Sequence, residues 1–145
     1  MKGNCCDELA GVQRSEHPKV LVVDDDPLTQ WVLQHYLKRV GYKMVSAENG
    51  RDALRLARQE SPQLIILDII MPDRDGWTIL RQLKRFKATR NIPVVLLSGN
   101  AELMAKEESL KSGATQLLVK PISPDQLLRV MNRLVPCPRR ALQNA

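Results

Sequence analysis

Five short runs of apolar residues punctuate the chain, each closed by polar or turn-forming residues. Lys19-Val20-Leu21-Val22-Val23 runs into Asp24-Asp25-Asp26-Pro27, and Leu64-Ile65-Ile66-Leu67 into Asp68, followed by Ile69-Ile70-Met71-Pro72-Asp73-Arg74-Asp75-Gly76. Ile92 to Leu97 ends at Ser98, and Gln116-Leu117-Leu118-Val119 ends at Lys120-Pro121. Runs of this length are too short for buried helices, and the continuous ones read as strands buried on both faces of a parallel sheet. Tyr42 to Ala47 alternates weakly and is placed nearer a sheet edge.

Between the strands the apolar spacing changes to three and four. Asp26 caps a helix with Pro27 in its first position, and Thr29, Val32, Leu33, Tyr36, Leu37 and Val40 form its inward stripe before Gly41 stops it. Trp31 and His35 fall off that stripe, one turn apart, as a small exposed patch. Asn49 caps a second helix facing the core through Ala53, Leu54, Leu56 and Ala57, and a third after Gly76 carries Ile79, Leu80, Leu83 and Phe86. Glu102 to Lys111 has only Leu103, Met104 and Leu110 as apolar anchors, so it is expected to be the loosest element. Gly113 ends it. Ser123-Pro124-Asp125-Gln126 is a capping box opening a helix that buries Leu127, Val130, Met131 and Leu134, with Pro136 and Pro138 beyond its end.

Strand and helix alternate five times with short connections. Right-handed crossovers then give a doubly wound α/β domain, a five-stranded parallel sheet with helices on both faces. The expected organisation is a tail over residues 1–17, one domain over 18–135, and a tail or linker over 136–145.

Composition narrows the function. The 145 residues suit one domain; 43% hydrophobic and 26% charged residues are ordinary for a globular protein, and no apolar run reaches the length of a membrane span. The first residues lack the apolar centre of a secretory signal, so the expected location is cytoplasmic. The net charge of +6 is spread thinly without interleaved aromatics, which indicates no direct nucleic-acid binding. Cys5, Cys6 and Cys137 fit neither a disulfide framework nor a zinc spacing and are read as bystanders.

The chemistry lies where the strands end. Asp24 and Asp25 follow the first strand, Asp68 the third, Ser98 the fourth and Lys120 the fifth, all on the sheet edge where open α/β sheets bind ligands. Each residue alone has a bland role as a cap, a turn residue or a solvated strand end. Together, converging carboxylates repel one another unless a cation lies among them, and oxygen ligands of this kind suit Mg²⁺. A hydroxyl and an ammonium are what a phosphoryl group on Asp68 requires, as donor and counter-charge, with the aspartate as nucleophile.

The order Val22-Val23-Asp24-Asp25-Asp26, Leu67-Asp68-Ile69-Ile70-Met71-Pro72-Asp73-Arg74-Asp75-Gly76, Leu97-Ser98-Gly99 and Val119-Lys120-Pro121 resembles the receiver domain of two-component response regulators, over residues 18–135. The resemblance implies a flavodoxin-like sheet of strand order 2-1-3-4-5. It also implies that Asp68 accepts a phosphoryl group from a phosphohistidine on a sensor histidine kinase or a histidine phosphotransfer protein. Mg²⁺ would be held by Asp25, Asp68 and the Ile70 backbone carbonyl, with Asp24 acting through water. Ser98 and Lys120 would contact the phosphoryl oxygens, and Lys120-Pro121 would be cis. Residues 102–135 would face a downstream protein or output domain, with phosphorylation-dependent homodimerisation on the same face. The protein would catalyse only its own phosphorylation and dephosphorylation.

Two positions depart from the family. Leu117 stands three residues before the lysine, where an aromatic residue is usual. Ile70 stands where many receivers carry a polar side chain that helps a water attack, which leaves Asn100 as the nearby polar candidate. Two other readings compete. A haloacid-dehalogenase-like phosphatase would use Asp24-x-Asp26, Ser98 and Lys120-Pro121 in that order, but it needs a further acidic pair, and only Asp125 follows Lys120. A degenerate receiver serving as a scaffold would not need the complete set of Asp24, Asp25, Asp68, Ser98 and Lys120.

Overall fold

A computed structural model describes residues 17–71, 73, 75–99 and 113–136. The three most continuous apolar runs form β1 (Lys19–Val23), β3 (Leu64–Asp68) and β4 (Val94–Ser98); β3 and β4 are buried along their whole length, as is β1 beyond Lys19. The less apolar runs form β2 (Lys43–Ala47) and β5 (Gln116–Val119) at the two edges. All pairings are parallel and the order is β2-β1-β3-β4-β5, as expected.

Four helices are described: α1 (Pro27–Arg39), α2 (Gly50–Glu60), α3 (Gly76–Arg85) and α4 (Pro124–Leu134). Successive strand residues point to opposite faces, so the sheet divides the core in two. Leu21, Val23, Ile65, Leu67, Val94 and Leu96 pack with Ala53 and Ala57 of α2 and Ile79, Leu80 and Leu83 of α3. Val20, Val22, Leu64, Ile66, Val95 and Leu97 pack with Leu33 and Leu37 of α1 and Leu127, Val130 and Met131 of α4. Truncating any of the buried leucines to alanine in such a core costs about 2–5 kcal/mol.

The caps are where the residue types place them. Asp26, Asn49 and Ser123 accept from Leu28, Asp52 and Gln126 amides, and Pro27 and Pro124 stand at the helix starts. Gly41 turns the chain after α1 at φ 97°, a left-handed conformation that costs glycine nothing.

Four expectations about packing are corrected. Phe86 is not in the core: α3 ends at Arg85, the backbone at Phe86 turns extended, and the ring is 42% exposed beneath the Arg58 guanidinium, 5.2 Å away. Thr29 turns its hydroxyl to Asp26 (2.9 Å) because a polar group gains more from the cap than from the core. Leu134 is only partly buried, since it occupies the last turn of α4. Strand β4 starts at Val94, after Pro93, whose missing amide cannot join the ladder. Trp31 and His35 do form an exposed patch, their rings stacked at 5.6 Å and 11°. The helix expected over Glu102–Lys111 lies outside the described residues, as do Asn100, the three cysteines and residues 1–16 and 137–145. No described helix is long and apolar enough to cross a membrane.

Candidate functional site

The strand register brings the polar ends together. Val23 pairs with Leu67, Asp68 with Leu97 and Ser98 with Val119, so Asp24, Asp68, Ser98 and Lys120 all leave the sheet at one edge. Asp24, Asp68 and Ser98 are 0%, 6% and 1% exposed, whereas Asp25 faces solvent. Lys120 reaches across to both buried carboxylates, its Nζ 2.7 Å from Asp24 Oδ2 and 3.3 Å from Asp68 Oδ2. The peptide Lys120-Pro121 is cis, and the Lys120 amide donates to the Ser98 carbonyl at 2.7 Å.

The other oxygen of each buried carboxylate is also engaged. Asp24 Oδ1 accepts from the Asp26 amide (2.9 Å), and Asp68 Oδ1 from the Ile70 amide (3.3 Å). Gln30 of α1 braces the first loop in a way its sequence position does not announce. Its amide nitrogen lies within 3.2 Å of the Val22, Asp24 and Ala47 carbonyls, which orients the group, while Oε1 is buried with no partner among the described residues.

Electrostatics follow from this crowding. Burial, then the charge of Asp24, raises the pKa of Asp68, and Lys120 and the Ile70 amide offset only part of that. Burial alone would favour a neutral Lys120, but the hydrogen bond and charge of Asp24, then those of Asp68, outweigh it and raise its pKa. Asp26 behaves differently: hydrogen bonds from the Thr29 hydroxyl and the Leu28 amide lower its pKa. Asp26 is engaged as the cap of α1, through the Leu28 amide and the Thr29 hydroxyl.

Asp24, Asp25 and Asp68 each offer an oxygen within 4.8 Å of the others. Three carboxylates facing one ammonium leave two negative charges uncompensated, so this donor set fits a divalent, oxygen-preferring cation such as Mg²⁺. Beside it a cavity of about 460 Å³ runs between α1 and the segment after β5, walled by Leu28, Thr29, Val32, Pro121 and Ile122.

The β3–α3 loop closes the other side. Ile69 donates to the Leu97 carbonyl (3.0 Å), Gly76 to the Ile69 carbonyl (2.5 Å), and the Asp75 side chain accepts from Thr78 (2.7 Å) to cap α3. Gly76 has no room for a side chain: a Cβ would stand 2.6 Å from the Asp68 carbonyl oxygen and from the Ile69 Cα. Ile70 is 62% exposed, and Leu117 packs partly buried against the core. Two contributors, Gln30 and Asp73, give no local sequence signal. The Asp73 carboxylate accepts from the Gly50 and Arg51 amides at 2.9 and 3.2 Å.

A parallel sheet of this order, with acidic groups, a hydroxyl and a lysine gathered at its carboxyl edge, defines a flavodoxin-like domain of the signal-receiving class. A family model described as "Response regulator receiver domain" matches residues 20–132, and the chain belongs to that family, the receivers of two-component signal transduction. It is similar to protein PilH of Pseudomonas aeruginosa, 34% identical over 117 residues, 81% of this chain and 97% of PilH. Other curated relatives, transcriptional regulators by name, are longer, and the chain spans only 44% to 49% of them. Among solved structures, the chemotaxis response regulator CheY4 of Vibrio cholerae matches with a TM-score of 0.76 at 31% identity, covering 82% of this chain and 99% of that one. The receiver domain of the sensor histidine kinase PA1611 from Pseudomonas aeruginosa, which holds a magnesium ion in its active-site cleft, matches with a TM-score of 0.75 at 28% identity, covering 81% and 97%.

Proposed function

We propose that this receiver accepts a phosphoryl group on Asp68 from the phosphohistidine of a sensor histidine kinase or histidine phosphotransfer protein. The observation that carries the reading is a buried carboxylate at the end of the central strand, bonded to a lysine and flanked by two more carboxylates. One Asp68 oxygen attacks phosphorus, the bond from phosphorus to the imidazole nitrogen breaks, and the departing imidazole keeps the electron pair. Lys120, 3.3 Å from Asp68 and held protonated by its two carboxylate partners, balances the charge that gathers on the phosphoryl oxygens. Ser98 supplies a hydroxyl from the neighbouring strand end.

Mg²⁺ would be held by Asp25, Asp68 and the Ile70 carbonyl, with Asp24 acting through water, and would neutralise charge on the transferring group. The exposed Leu28, on the cavity wall near Lys120, and the exposed Ile70 give a donor protein apolar surface to dock on. The output face is the part of 102–135 around β5 and α4, which is tied to Ser98 through the Lys120 amide. A downstream protein or output domain, or a second phosphorylated copy, binds there.

The test is incubation with Mg²⁺ and a small-molecule phosphodonor, read by intact mass. Wild type gains one phosphoryl group, and neither Asp68→Asn nor wild type in chelator does. Labelling of Asp68→Asn at the wild-type rate sinks the assignment.

A further inference from the structure

The loop between β3 and α3 is fastened at its ends by Ile69 and Gly76. Between those ends it is held by the 3.3 Å bond from the Ile70 amide to Asp68 Oδ1, by the burial of Met71 and by Asp73, which leaves its own loop to bond an element more than twenty residues earlier. Gly50 and Arg51 are the first residues of α2, whose first-turn amides have no partner within the helix. The Asn49 side chain takes the next amide, that of Asp52, at 2.8 Å. Asp73 takes the remaining two with one oxygen each, and a carboxylate at this end of a helix is further favoured by the helix dipole.

We propose that Asp73 is a positioning residue: by clamping the β3–α3 loop to the start of α2 it fixes the Ile70 backbone, and so sets the affinity of the site for Mg²⁺. This rests on the metal reading proposed above. The Ile70 side chain faces solvent and cannot anchor its own backbone, so the position of that segment depends on its neighbours. Mg²⁺ tolerates little departure from octahedral geometry, so a loop that wanders loses affinity even when every carboxylate remains. Groups that orient a ligand without touching the metal typically change affinity about 10- to 100-fold. Asp73 is exposed, so its effect belongs at the lower end of that range.

The experiment is calorimetric titration of the full chain with MgCl₂ at fixed ionic strength, with amide NMR in parallel. Asp73→Ala should bind Mg²⁺ about tenfold more weakly, and Asp73→Asn, which keeps one acceptor oxygen for Gly50, should lose only about threefold. In wild type the Gly50 and Arg51 amide resonances should shift with the same midpoint as the heat; in Asp73→Ala they should not respond. Wild-type affinity in Asp73→Ala overturns the proposal. So do equal losses in the alanine and asparagine variants, which would reduce Asp73 to a distant charge. A wild type with no saturable response removes the metal reading and this proposal together, whereas the other two results leave that reading standing.

Discussion

Two half-buried lysines sit at opposite ends of the sheet, and their pKa values shift in opposite directions. Lys120, at the carboxyl edge, faces the carboxylates of Asp24 and Asp68. Lys84 of α3, at the amino edge, donates to the Arg90 and Ile92 carbonyls at 3.1 and 2.9 Å, just before β4 begins. Burial lowers the pKa of Lys84, and two neutral carbonyls do not reverse it. Burial pulls Lys120 the same way, yet two formal negative charges raise its pKa. The amino end is thus a fastening in which the lysine's charge is incidental. The carboxyl end is a balance of charges, and removing any member should be felt by the others.

The largest break in this comparison is Lys120→Met. With the ammonium gone, two buried carboxylates face each other unpaired, and metal-free stability at pH 7 should fall by about 2–4 kcal/mol, measured by urea unfolding in chelator. A loss below about 0.5 kcal/mol would place both lysines in the same class.

Next comes Ile70→Asn, which asks whether access of water as well as charge governs the carboxyl edge. A polar side chain at 70 should position water for attack and speed loss of the phosphoryl group about tenfold, or about 1.4 kcal/mol of barrier. Decay after donor removal at constant Mg²⁺ reads this; unchanged decay would mean that the side chain at 70 does not limit the reaction.

Asp68→Asn should raise the metal-free melting temperature by a few degrees. The folded pKa of Asp68 lies above its ordinary 3.8, so its contribution to stability is present at low pH and is lost as pH climbs above that value. The gap between variant and wild type should therefore open on going from acid to neutral pH. A variant no more stable than wild type at pH 7 would contradict the assigned direction.

The smallest effect is expected for Lys84→Met, within about 0.5 kcal/mol at pH 7, because relief of a buried charge offsets two lost hydrogen bonds. Alkaline titration separates the lysines by sign. Lys84, with a folded pKa below 10.5, should recover stability as pH approaches that value, whereas the contribution of Lys120 should persist to 10.5 and fade above it. Wild type compared with each variant over about pH 9 to 11.5 shows whether the two slopes oppose.

Much of this could be read from the chain because the informative signals are local. Unbroken runs such as Leu64 to Leu67 announce buried strands, and the strand ends then carry Asp24, Asp68, Ser98 and Lys120 to one edge without knowledge of any contact. The illegible features are those decided across the fold. Asp73, between Pro72 and the Asp75-Gly76 pair, looks solvated until α2 is placed beside it. Gln30 looks like an ordinary helix polar residue until three carbonyls from β1, its loop and β2 surround it. Phe86 follows the helical spacing of α3, but the helix ends one residue too soon to carry the ring inward.

Gly76 divides the molecule mechanically. With its Cα set against the Asp68 carbonyl and the Ile69 backbone, the first turn of α3 is seated directly on the end of the central strand, too closely for even a methyl group to enter. That contact leaves no space between the two elements. On the other side of Asp68 the contacts are side-chain and backbone hydrogen bonds, from the Lys120 ammonium to Asp68 and from the Lys120 amide to the Ser98 carbonyl, which can lengthen or re-form where a packed backbone cannot.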